Sequence, residues 1–316
     1  MTIILPETDP LMIIRPHIQC HLWLLLGSLL STACTTRINA PDESHALPET
    51  DWEVERGVVY TPKDWPEPLR ADLYRPVSEG PLPGVLMVHG GSWARGSRSH
   101  MNDFAEHLAS HGFVVMNIDY RLAPEHRFPA QLHDLQQAMH WLRLEAEELN
   151  LDSHRVGGFG YSAGAHLVSL LGLVASQPGS ELDQPYGGPK TRLSAVVAGG
   201  LPSDLRKFGS GRILRDFLGG PMEEVPDLYE AASPVSHITR EAPPFFLFHG
   251  RWDKLVPVHH STDFQAALAV QGVYAELVLL EYRGHALSFF FNDAAMDAAI
   301  AFLGRHLQEG RQPERK

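Results

Sequence analysis

From about residue 54 onward, short apolar runs alternate with longer stretches in which apolar positions recur every three or four residues. Eight runs predict strands, at 57–60, 71–74, 85–88, 113–118, 156–159, 195–198, 245–248 and 277–280. From the third onward they are almost continuously apolar, as expected of strands covered on both faces. Helical periodicity predicts helices over 102–110, 132–148, 163–176, 260–271 and 293–307. In one of these, Leu167, Leu170, Leu171 and Val174 follow i, i+3, i+4, i+7 spacing. In another, Leu135, Met139 and Leu142 form an apolar stripe. The first two strands read as an antiparallel start and the rest as parallel. The fold class is therefore α/β, a mostly parallel eight-stranded sheet with helices on both faces. No internal repeat is visible.

The alternation breaks at about 201–242, where Gly209, Gly211, Gly219, Gly220, Pro221 and Pro226 punctuate short amphipathic pieces. An insertion between two sheet strands is either a small cap over an active site or a surface excursion.

Chemistry concentrates just after the predicted strands. Gly160-Tyr161-Ser162-Ala163-Gly164 joins the strand at 156–159 to the helix that follows. Strand, sharp turn and helix is the setting of a nucleophile elbow, which exposes a serine on a strained turn. A Cβ on either flanking glycine would collide with the neighbouring strand or helix. A serine hydroxyl needs a base, and the base needs an orienting acid. In this arrangement the chain order is serine, acid, histidine. Asp253 follows the run at 245–248, and His285 follows the run at 277–280. Open α/β sheets carry their reactive groups at that edge. Glu281 shares the context but lies too close to His285 along the chain to reach its far nitrogen. An oxyanion hole is expected from His89-Gly90-Gly91-Ser92-Trp93, after the run at 85–88. Its donors would be backbone N–H groups around Gly90, Gly91 and Ser92, together with that of Ala163.

These motifs, with Tyr120-Arg121-Leu122-Ala123-Pro124-Glu125-His126 and Phe128-Pro129-Ala130, resemble the esterase/lipase group of α/β-hydrolases. The similarity is to its hormone-sensitive-lipase-like and carboxylesterase-like branches. Two departures blur the subfamily. The oxyanion loop lacks a third glycine, and Tyr161 stands where an acidic residue is usual. The H-G-G-x-W loop also resembles that of arylformamidases. The resemblance implies a serine hydrolase that cleaves carboxylic esters of short acyl chains through Ser162, Asp253 and His285. It implies an acyl-enzyme and no cofactor. The alternatives are an arylformamidase-like amide hydrolase on the same triad and a non-catalytic envelope binding protein of the same fold.

Other residues keep two readings. Trp93 and Tyr161 could line the acyl or alcohol pocket, or pack in the core. Asp134 reads as structural, beside a helix N-terminus. Tyr120, Arg121 and Glu125 would fix the loop after the fourth strand, and His166 would pack within its helix. His259 and His260 are adjacent, but no further ligand cluster supports a metal. They read as a helix start or a solvated face.

Composition narrows the partners. The 316 residues carry a formal net charge of -12, which argues against nucleic acid. A small-molecule ester is the expected partner, and the oligomeric state is not legible. Both cysteines, Cys20 and Cys34, precede the body, which excludes a cysteine nucleophile or a cysteine-based zinc site. Residues 22–30 are an apolar run too short for a comfortable span, closed by Ser31-Thr32-Ala33-Cys34. Residues 1–33 are therefore expected to be a lipoprotein leader, with Cys34 as the lipidated residue. Residues 34–53 would be a tether and 54–316 the hydrolase domain, with its cap at about 201–242. That predicts a membrane contact through a lipid anchor and a cell-envelope address, at the outer membrane or in the periplasm. An uncleaved membrane anchor is the alternative reading of the same run.

Overall fold

The computed structural model describes residues 35–41 and 47–308. The predicted leader and Cys34 lie outside them. Among the described residues, no helix is long and apolar enough to cross a membrane.

Among the described residues, nine strands form one sheet. They are β1 (Thr35–Ile38), β2 (Trp52–Val59), β3 (Arg70–Pro76), β4 (Leu82–Val88), β5 (Val114–Ile118), β6 (Leu151–Tyr161), β7 (Val196–Gly199), β8 (Phe245–Gly250) and β9 (Ala275–Leu280). Their spatial order is β1-β9-β8-β7-β6-β4-β5-β3-β2. β2, β3 and β1 pair antiparallel with their neighbours, and β5, β4, β6, β7, β8 and β9 run parallel. The eight predicted strands are all present.

β1 is the addition. The stretch expected to be a tether instead begins with an edge strand, in which Thr35 pairs with Leu280 and Ile38 with Leu277. Only Ile38 in it is apolar, so no hydrophobic alternation marks it. Its pairing is held by polar groups, with the Thr36 hydroxyl donating to Glu281 Oε1 at 2.8 Å.

The helices are α1 (Asn102–Ser110), α2 (Ala130–Leu144), α3 (Ala163–Val174), α4 (Arg212–Leu218), α5 (Pro226–Ala231), α6 (His259–Val270), α7 (His285–Phe290) and α8 (Asp293–Leu303). The two faces of β4 show why its run is continuously apolar. Val85 and Met87 pack with Phe104 and Leu108 of α1 and with Ile300 and Phe302 of α8. Leu86 and Val88 pack with Leu135 and Met139 of α2 and with Leu167 and Leu171 of α3. Each such buried side chain contributes roughly 1.5–3 kcal/mol, so a polar residue on either face would be costly. Short helices α4, α5 and α7 escaped the periodicity reading, because six or seven residues are fewer than two turns.

Asp134 is buried within α2 rather than set at its N-terminus. It accepts from Arg121 Nε at 2.8 Å and from Trp65 Nε1 at 2.9 Å. An ion pair, not a helix dipole, explains it. Arg121 thereby fixes the loop after β5, as expected, and Tyr120 donates from its hydroxyl to the His89 carbonyl at 3.1 Å.

Candidate active site

β4 and β6 are adjacent and parallel, with Val88 opposite Gly160. Their C-terminal ends therefore bring the 89–93 loop beside Ser162. Ser162 has φ 55° and ψ -120°, outside the regions ordinary residues prefer, a conformation that costs on the order of 1–3 kcal/mol. The tight packing of the elbow enforces it. A Cβ on Gly164 would stand 2.0 Å from the Val88 carbonyl oxygen, and one on Gly160 would stand 2.4 Å from the Gly164 carbonyl carbon.

Asp253 follows β8 and His285 opens α7, just beyond β9. The structure brings the three predicted residues together. The Ser162 hydroxyl lies 2.9 Å from His285 Nε2, and His285 Nδ1 lies 2.6 Å from Asp253 Oδ2. Strand β7 lies between the nucleophile's strand and the acid's, so the imidazole must cross above it. Gly200, at the end of β7 with φ +56°, clears that path. A Cβ there would sit 3.0 Å from His285 Cε1. The Tyr161 hydroxyl donates to the His285 carbonyl at 2.6 Å, and its ring lies 5.1 Å from the imidazole. Tyr161 is thus a buried prop for the histidine and not a pocket wall.

Asp253 is fully buried as a side chain. Burial alone would raise its pKa. The hydrogen bonds from His249 and His285 and the Val256 N–H outweigh burial and hold the carboxyl well below the usual range. Its Oδ1 accepts from the N–H groups of Leu255 and Val256 at 2.9 and 2.8 Å. His249 was overlooked by the sequence reading. Its Nε2 faces the Val256 carbonyl at 2.8 Å and Asp253 Oδ2 at 3.3 Å, both acceptors. Nε2 therefore carries the proton, and Nδ1 accepts from the Ser261 hydroxyl at 2.7 Å. Glu281, the competing acid, is turned away into an ion pair with Arg251 at 2.8 Å.

The 89–93 loop is built around Gly91, whose φ is +124° and whose added Cβ would fall 1.9 Å from the Arg95 carbonyl oxygen. Gly90 packs against Tyr161 and Ser162. Among the described residues, the N–H groups of Gly91 and Ser92 have no backbone acceptor. Ala163 is the first residue of α3, where an N–H has no partner within its own helix. Ser92, Ser162 and Ala163 line one cavity of about 350 Å³. Trp93, Phe208, Ile213, Leu214, Leu255 and Val256 supply its apolar wall. Phe208, Ile213 and Leu214 belong to the insertion between β7 and β8, which therefore stands over the serine.

Three further groups support this wall. Trp93 stacks on Phe217 of α4 at 4.5 Å and donates from Nε1 to His166 Nδ1 at 3.2 Å. His166 Nε2 must then be the protonated nitrogen, donating to the Ala232 carbonyl at 2.6 Å. Burial pushes His166 down to about 4. His260 is buried, not on a solvated face, and stacks on Phe208 at 4.5 Å, while exposed His259 begins α6. Among the described residues, no cluster of three or more His, Cys, Asp or Glu side chains could hold a metal ion.

The arrangement can pass a proton from a hydroxyl to an imidazole that a buried carboxylate orients, beside free N–H donors. Comparison with known proteins places the chain in a family. The BD-FAE family model matches residues 71–268, a stretch that carries Ser162 and Asp253 and stops before His285. Esterase LipC of Mycobacterium tuberculosis is 34% identical over 230 residues, covering 70% of this chain and 56% of that one. The chain thus spans about half or less of the length of the curated relatives it matches, with 53% for the probable carboxylic ester hydrolase LipM and 48% for esterase LipQ, both of Mycobacterium tuberculosis. Among solved structures, a truncated carbohydrate esterase from gut microbiota shares the fold at 20% identity, with a TM-score of 0.72 over 85% of this chain and 99% of that one. Thermogutta terrifontis esterase 2, phosphoramylated by tabun, is 25% identical, with a TM-score of 0.68 over 83% and 97% of the two chains. The chain accordingly belongs to the BD-FAE family, within the esterase/lipase group of α/β-hydrolases.

Proposed function

We propose that the protein hydrolyses carboxylic esters of short acyl chains through an acyl-enzyme. Ser162 attacks the acyl carbon while His285 takes its proton. His285 then returns that proton to the leaving alcohol, and water resolves the acyl-enzyme by the same relay in reverse. Asp253 holds the imidazole in the required tautomer, and His249 holds Asp253. The N–H groups of Gly91, Ser92 and Ala163 stabilise the oxyanion, with Gly90 permitting the close approach of the loop. The observation that carries this reading is the continuous Ser162–His285–Asp253 relay opening into an apolar cavity. Its volume of about 350 Å³ is near the small end for ligand sites and suits an acyl group of roughly two to six carbons.

The address proposed with this activity is the cell envelope, with Cys34 carrying the lipid anchor. The apolar run at 22–30 and the small residues before Cys34 support it.

The test of the chemistry is direct. A fluorophosphonate probe should label Ser162, as the tabun adduct of the Thermogutta esterase suggests. p-Nitrophenyl esters from acetate to hexanoate should be turned over faster than N-formylkynurenine. Faster release of formate from the amide would replace the ester reading with an amidase. A kcat/KM that climbs steadily to long acyl chains would overturn the short-chain assignment.

A further inference from the structure

Among the described residues, six of the fourteen exposed large apolar side chains fall in just two short segments. Trp252, Tyr282, Phe290 and Phe291 are 59%, 63%, 70% and 58% exposed, and Leu255 and Leu287 are exposed beside them. All six belong to the two segments that follow β8 and β9, the segments that supply Asp253 and His285. Trp252 and Tyr282 pack edge to face at 5.0 Å, yet both remain open to solvent. Leu255 also lines the cavity, so the apolar surface continues from the cavity mouth outward. Clustered exposure of this kind marks an interaction site.

Charge on the same two segments runs against the molecule. The chain carries -12 overall. Arg251, Lys254 and Arg283 lie here against two acids, Asp253 buried with its histidines and Glu281 paired with Arg251. Among the described residues, Lys254 and Arg283 have no carboxylate within salt-bridge distance. Phe290 turns instead into a cleft that it shares with Asp103, Asp293 and Asp297, so the basic part of this surface is the part around Trp252 and Tyr282.

The chain's own connectivity points the same way. Thr35 pairs with Leu280, the last residue of β9, at the catalytic end of the sheet. Thr35 is the first described residue, so the chain that precedes it, Cys34 included, joins the body at that edge. Upstream of it lies the apolar run at 22–30. Whatever holds Cys34 to a bilayer therefore holds the catalytic edge there too.

We propose that this edge is a membrane-docking face, on which Trp252 and Tyr282 seat in the interface of an anionic bilayer and Lys254 and Arg283 meet lipid phosphates. Amphipathic aromatic rings favour that depth, and basic side chains are drawn to the negative surface potential of an anionic leaflet. A glycan could also stack on exposed aromatic rings. The leucines, the two cations without a carboxylate partner among the described residues and the entry of the preceding chain at this edge favour lipid. The inference rests on the proposed envelope address but not on the ester chemistry.

Hydrogen exchange on the full chain tests it, with vesicles of phosphatidylethanolamine and phosphatidylglycerol. Peptides covering 251–256 and 281–291 should exchange more slowly with these vesicles than in buffer or with phosphatidylcholine alone. That protection should be lost in Trp252→Ser/Tyr282→Asn, asparagine being chosen because residue 282 has φ 59°. Lys254→Glu/Arg283→Glu should lose the preference for the anionic vesicles. Both variants should hydrolyse a soluble butyrate ester as the parent does. Unchanged exchange in both segments on vesicle-bound protein would overturn the docking face. Protection by soluble acetylated xylan and not by vesicles would also overturn it, by assigning the patch to a glycan. A native protein with unmodified Cys34 but protected segments would remove the anchor and leave docking standing. A lipidated Cys34 with unprotected segments would do the reverse.

Discussion

The residue-scale claims separate cleanly by substitution. Ser162→Ala and His285→Ala should each lower kcat on the order of 10⁶-fold, and Asp253→Asn somewhat less, because the three act as one unit. Combining them should cost little more than the worst single change, and the variants should keep the parent's thermal unfolding. Glu281→Gln should leave kcat essentially intact, since its carboxylate is engaged with Arg251 and Thr36 away from the imidazole. Loss of activity in Glu281→Gln with full activity in Asp253→Asn would reverse the choice of acid. Ser162, Asp253 and His285 were legible as candidates because each directly follows an apolar strand. His249 was not, because a buried histidine beside an acid is indistinguishable in sequence from any core histidine. Its role depends on Val256 and Ser261, seven and twelve residues further along, which only the fold brings back to it.

At the scale of elements, the parallel core was readable and its margins were not. β4 to β9 announce themselves by continuous apolar runs, since helices cover both faces. β1 does not, because an edge strand with one open side needs no such run and is held by backbone pairing to β9. The cap's position was visible as an interruption, yet its helices α4 and α5 are too short for periodicity to register. The crossing of β7 by His285 was also invisible, since strand order is not written in strand sequence. That crossing makes a sharp prediction. Gly200→Ala would place a methyl group 3.0 Å from His285 Cε1, at a backbone angle that L residues resist. The protein should still fold, with kcat reduced on the order of 10²-fold and KM little changed, as expected of a displaced catalytic group. Wild-type turnover in this variant would show that the imidazole has slack above β7.

Considered whole, the molecule should be sensitive to mild acid. Burial pushes His89 and His166 down to about 4 from an ordinary 6.5. The unfolded chain therefore binds protons first as pH falls, so stability present above 6.5 declines between about 6.5 and 4. Near pH 5 each imidazole contributes up to roughly 1.4 kcal/mol per pH unit to that slope. The depressed Asp253 acts lower, its contribution being lost only as pH falls below the ordinary carboxylate range. Urea midpoints measured from neutral pH down to the acid limb should show the decline. His166→Gln, which offers a donor and an acceptor without titrating there, should flatten part of it. An unchanged midpoint across the histidine window would mean that these imidazoles are not buried neutral. The bridge from Trp93 through His166 to Ala232 has a consequence for anyone wishing to reshape the cavity. The insertion that shapes the cavity is wired, through the nucleophile's own helix, to the loop that would receive the oxyanion. A foreign insertion grafted in its place would need to present a carbonyl where Ala232 does. Without it, the graft would leave a buried imidazole N–H unanswered, and chemistry would suffer along with selectivity. Under the proposed function, specificity and catalysis are thus inherited together, and are better varied by side chains along the cavity wall than by exchange of parts.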